Sequence, residues 1–131
     1  MRQNYHQMRL ALEAGTLDPE GFTHGDHVGV AYEILLTRNF MDGAMHYARC
    51  IQALAAKAGA PEKYNTTITL AFLSLIAERM NQKSYASAED FLNHNRDLLQ
   101  SSVLKQWYSP ARLDSDLARS TFLLPEPIQT G

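Results

Sequence analysis

The chain has 131 residues, 45% hydrophobic and 20% charged, and a formal net charge of −2. This length suits one domain with a core of its own, and the composition excludes a disordered chain. Basic and acidic residues are mixed along the sequence, so no Lys/Arg cluster is offered to phosphates and nucleic acid is not an expected partner.

Residues 4–14 read as a short helix, with Tyr5, Met8 and Leu12 at helical spacing and Gly15 as its stop. Gly15, Asp18, Pro19 and Gly21 mark a loop. Thr23 followed by Asp26 has capping-box spacing and opens a helix to about Arg38, with Val28, Ala31, Ile34 and Leu35 as its apolar stripe. Val28-Gly29-Val30 is the best local strand signal, but its flanks favour the helix. Asp42-Gly43 reads as a break. Residues 44–58 form the next helix, with Tyr47 and Ile51 inward, His46 outward and Gly59 as its end.

After Pro61, residues 66–81 carry Leu70, Phe72, Leu73, Leu75, Ile76 and Met80 all round the helix, the pattern of a central buried element. Ser87 with Asp90 opens a short helix, and another is expected over 96–106. Ser109-Pro110 places a cap before a proline at the first helical position, and Ser115 caps a last turn ending near Arg119. Pro125 and Pro127 keep the tail, about 123–131, out of regular helix. Trp107 and Cys50 read as packing residues, and one cysteine excludes an internal disulfide.

The expectation is an all-α protein, a compact single-domain helical bundle over 1–131 with neighbouring helices antiparallel. No apolar run reaches membrane-spanning length, and the polar opening MRQNYHQMRL lacks a signal-peptide stretch, so a soluble, cytoplasmic protein without a membrane partner is expected. Nothing specifies an oligomer, and a homo-oligomer stays open.

Two helix starts carry chemistry. His24 and His27, three apart, fall on one helix face, where two imidazoles can share a transition metal or act as acid and base. The competing reading is that a polar helix start gathers His and Asp for capping alone. Tyr64, Asn65, Thr66, Thr67 and Thr69 open the 66–81 helix. Capping explains one or two of them, and the rest suit the wall of a small-molecule pocket. His6, His46 and His94 are each a third ligand only if the fold brings them near.

Phe22-Thr23-His24-Gly25-Asp26-His27 with Ala31 resembles the FxHxxHxxxA opening of an uncharacterised family of small bacterial helical proteins. Tyr64 to Thr69 is similar to that family's YHxTxT motif. Tyr108-Ser109, Leu113, Ser115, Ala118-Arg119 and Phe122, followed by Pro125, match its YSxxxLxSxxARxxF pattern. The resemblance spans about Gly21 to Pro125 and implies a helical fold with one site shared by the first two motifs. A third histidine in the second motif would complete a three-His set for a divalent metal such as zinc or iron, but this chain has Asn65 there. On the functional reading, His24, His27 and Tyr108 are catalytic candidates, and His24 and His27 are also the metal candidates. Tyr64, Asn65, Thr66, Thr69 and Arg119 are substrate-binding candidates. On the structural reading, Ser109 and Ser115 cap helices and Arg119 ties down the tail.

Three functions therefore stand open. One is a catalytic small-molecule site between helices, with His24 and His27 as metal ligands or as acid–base groups. Another is a non-catalytic ligand-binding or accessory protein that uses the same pocket or an apolar face. The third is a helical subunit whose histidines only cap and pack.

Overall fold

The computed structural model describes residues 4–128. Among these residues are seven α-helices, three short 3-10 turns and no strand. The helices are α1 (Tyr5–Ala14), α2 (His24–Leu36), α3 (Phe40–Lys57), α4 (Thr66–Gln82), α5 (Ala88–His94), α6 (Pro110–Leu113) and α7 (Asp116–Ser120). The all-α, single-domain bundle follows the sequence. No helix among the described residues is long and apolar enough to cross a membrane.

α2 is the hub, packing against α1, α3, α4, α5 and the 3-10 turn Arg96–Leu99. Its composition explains this position. Val28, Val30, Ala31, Tyr32, Ile34 and Leu35 are buried, more than one stripe can supply, so neighbours cover it on several sides. Gly29 lets α1 approach: a Cβ there would lie 2.5 Å from the Tyr5 ring. The α2 N-terminus is locked as expected. Thr23 Oγ1 accepts from Asp26 N–H at 3.1 Å, and Asp26 accepts from Thr23 N–H at 2.9 Å.

Several elements depart from the expectations. Asp42-Gly43 does not break the chain; it lies in the first turn of α3, which Asn39 caps by accepting from Asp42 N–H. Gly43 packs where a Cβ would meet Leu35 at 3.0 Å, so the glycine serves α2–α3 contact rather than a turn. α4 is buried along Phe72, Leu73 and Ile76, but Ser74 and Glu78 face solvent, so it is a wall of the core and not its axis. The 96–106 segment resolves into two 3-10 turns, Arg96–Leu99 and Ser101–Gln106, which bury Leu98, Val103 and Leu104. Trp107 is 43% exposed, so it packs only in part.

After α7, residues 121–128 fold back past Tyr108 and the start of α4. Tyr108 is buried and its hydroxyl donates to the Leu123 carbonyl at 2.8 Å. Arg112 Nε donates to the Leu124 carbonyl, and Glu126 accepts from the Ser109 N–H and hydroxyl. Ala118 of α7 is fully buried, in a helix that packs on α4.

Candidate functional site

A cavity of about 190 Å³ opens between α2, α3 and α4. Its wall joins the two helix starts: His24 and His27 come from α2, and Tyr64, Asn65 and Thr69 from the entry to α4. Val28, Ala31, Ile51, Ile68, Phe72, Leu73 and Ile76 supply its apolar surface. Tyr47 and Lys63 complete the polar part.

Each histidine is oriented by one nitrogen. His24 Nε2 lies 3.0 Å from the Leu98 carbonyl. A carbonyl only accepts, so Nε2 carries the hydrogen and Nδ1 of the neutral ring keeps its lone pair. The ring packs edge-on to Phe72 at a centroid distance of 4.9 Å. His27 Nδ1 lies 3.3 Å from the Tyr47 hydroxyl, which is also 3.2 Å from the His27 carbonyl. Tyr47 has one hydroxyl hydrogen. Both contacts are satisfied when it goes to the carbonyl and the oxygen accepts from Nδ1–H, leaving the lone pair on Nε2. Phe22 packs on the His27 ring, with centroids 4.5 Å apart.

The surroundings keep both rings neutral. Burial lowers the pKa of His24, against the raising effect of the Leu98 carbonyl. Burial, and then the neighbouring His24, lower His27 to about 4, with Asp26 opposing. Burial likewise pushes the Tyr47 phenol up, holding it as a neutral donor.

Asn65 is the α4 cap, and both ends of its carboxamide are engaged. Its oxygen accepts from Ile68 N–H at 2.9 Å, and its nitrogen donates to the Leu113 carbonyl at 2.7 Å. Thr67, fully buried, donates to the Thr121 carbonyl at 2.7 Å and accepts from Leu123 N–H at 3.0 Å. The Tyr-Asn-Thr segment is therefore bonded to the C-terminal motif through alternate residues, while Tyr64 and Thr69 face the cavity. Thr66 is half-buried in the first turn but is not part of the wall.

Two further site candidates lie elsewhere. Tyr108 is spent on the Leu123 carbonyl, and Arg119 on the carbonyl and carboxylate of Asp114, so neither reaches the cavity wall. The remaining histidines also stay away. His6 is beside Glu33, and His94 is on its own helix against Asp90. His46 is half-buried rather than outward, 2.7 Å from Glu13.

No group of three or more His, Cys, Asp or Glu side chains suited to a metal exists among the described residues. The cavity offers two imidazoles, each with one nitrogen committed, and at the third position an amide already holding two backbone groups. This donor set does not fit a resident zinc or iron, which takes at least three protein ligands in its usual catalytic sites.

In the sequence, Tyr47 and Phe72 read as core residues, and neither they nor Lys63 are marked as site residues. A tyrosine on an apolar helix face was the available signal for Tyr47, because a buried hydroxyl needs a partner. No family model, curated protein or solved structure matches the chain.

Proposed function

We propose that the protein binds a compact, largely apolar small molecule in the cavity between α2, α3 and α4. One observation carries this reading: two neutral histidines, oriented from behind, share an apolar cavity with Tyr64 and Thr69. Pockets of this kind, mostly apolar with a few placed polar groups, are the usual form of small-ligand sites. The volume suits a single-ring molecule, since an engineered cavity of about 150 Å³ accepts benzene. The motif resemblance supports the same location, because its first two motifs supply the polar wall.

Binding is favoured over metal-assisted catalysis because the third ligand position holds a committed amide. With its pKa near 4, His27 is also a weak base at neutral pH.

Screening single-ring fragments by NMR and thermal shift tests the proposal. Fragments are expected to perturb resonances of His27, Thr69 and Phe72 and to raise Tm, and a cavity-filling Thr69→Phe variant is expected to lose both effects. Binding that persists in Thr69→Phe, or that never touches these residues, would overturn it. Elemental mass spectrometry on untagged protein separates the metal reading. Near-stoichiometric zinc or iron, lost in a His24→Ala, His27→Ala variant, would favour catalysis at a metal.

A further inference from the structure

We infer that the cavity selects an uncharged ligand whose polar end donates hydrogen bonds, a primary carboxamide being the simplest example. This inference rests on the binding function proposed above and names its ligand class.

The argument is one of complementarity at the ring nitrogens. The Leu98 carbonyl fixes the hydrogen of His24 on Nε2, and the Tyr47 hydroxyl, turned to the His27 carbonyl, fixes that of His27 on Nδ1. Each ring then has one lone pair, on His24 Nδ1 and His27 Nε2, with no hydrogen-bond partner among the described residues. Neither atom is sealed in the core without a partner; among the described residues that condition is met only by Arg9 Nε. Both rings line the same cavity. Both rings stand on one face of α2, and a ligand in the cavity with two N–H or O–H donors satisfies both lone pairs.

The charge of the ligand follows from the rest of the wall. Among the described residues of the wall a cation would find no carboxylate: the nearest acid in sequence, Asp26, is buried and accepts from Thr23 N–H at the helix cap. Burying a charge without a counter-charge is costly. An anion would set its own lone pairs against these two, and Tyr47, the donor beside them, is already turned to a carbonyl; the remaining hydroxyls, of Tyr64 and Thr69, come from the entry to α4. Lys63 is the one formal charge on the wall, and it is exposed at the rim, where water screens it. The positive end of α2 is offset by Asp26 in its first turn. A neutral head bearing two donors leaves no group on this wall in conflict.

Four probes with one ring in common test the inference: benzamide, benzoate, benzylamine and benzene. They are titrated at pH 7 into the wild-type chain, with wall resonances followed by NMR. Benzamide is expected to bind at least about tenfold more tightly than benzoate or benzylamine, as two gained hydrogen bonds imply, and to shift His24 Nδ1 and His27 Nε2. Long-range ¹H–¹⁵N spectra of the free protein are expected to show the hydrogen on Nε2 of His24 and on Nδ1 of His27. The opposite tautomer on either ring would overturn the inference without any ligand. So would tighter binding of benzoate or benzylamine, or binding of benzene alone, and in those cases the cavity would still be a binding site. If none of the four shifts a wall resonance, the inference falls, and the wider fragment screen decides the cavity's function separately.

Discussion

His27 is held in the cavity wall at a cost to stability in acid. Its ring loses water on folding and gains only a hydroxyl contact, so the folded state resists protonation more than the unfolded chain does. With the folded pKa at about 4 and the unfolded one at 6.5, the unfolded chain binds the extra proton throughout that interval. Stability is therefore full above about pH 6.5 and falls as the pH drops toward 4. The span corresponds to roughly 3 kcal/mol at its acid end. His24 is lowered too and contributes with the same sign. Urea unfolding between pH 7 and pH 4 is expected to show this decline, and a His27→Gln variant, which cannot take up the proton, is expected to flatten it by about one proton's worth of slope. An equal decline in both proteins would place the acid sensitivity in other groups. The pairing of His24 and His27 was legible in the sequence because helical spacing alone puts them on one face. Their tautomers were not, because they are set by Leu98 and Tyr47, residues 74 and 20 positions away.

At the scale of elements, the α1–α2 contact depends on a glycine inside a helix. The intrinsic cost of Gly29 there, about 1 kcal/mol relative to alanine, is accepted because its missing Cβ makes room for the Tyr5 ring. A methyl group at 2.5 to 2.7 Å from three ring atoms, including Cγ at the base of the ring, requires the ring or the whole of α1 to move. Gly29→Ala is therefore expected to destabilise the protein by roughly 1–3 kcal/mol despite its better helix propensity, measured by chemical denaturation. A stabilised variant would mean that α1 re-seats freely. The same logic explains which elements could be read in advance. Thr23/Asp26, Ser109-Pro110 and Ser115 act on backbone groups within a few residues, so their cap signals are complete in the local sequence. Gly29 and Gly43 serve contacts between helices, and local propensity misread Gly43 as part of a break. The 96–106 segment follows the shape of the core around Leu98 and Leu104, which overrides its tendency to form one regular helix.

At the scale of the molecule, the motif around Tyr108 to Phe122 and the return strap after it are tied to the second site motif rather than to a ligand. Thr67 is the knot: one hydroxyl bonds both the Thr121 carbonyl and the Leu123 N–H, while Asn65, two residues earlier, holds the Leu113 carbonyl. The sequence placed these threonines and serines at helix starts but could not show that the start of α4 bonds to the ends of α6 and α7 across more than 45 residues, since that depends on α7 packing against α4. A double-mutant cycle tests the connection. Thr67→Val removes the hydroxyl at nearly constant shape and leaves two backbone groups unpaired, an expected loss of about 2–3 kcal/mol. Truncation after Ser120 removes the partners of Thr67 and also those of Tyr108 and Arg112, with a larger loss expected. In the truncated background Thr67→Val should cost less than half of its value in the full chain, because the partners are already gone. Strict additivity would show that the strap and α4 are energetically independent. Because neither change touches the cavity wall, fragment binding should survive in whichever variants remain folded, which separates the scaffold's role from the site's.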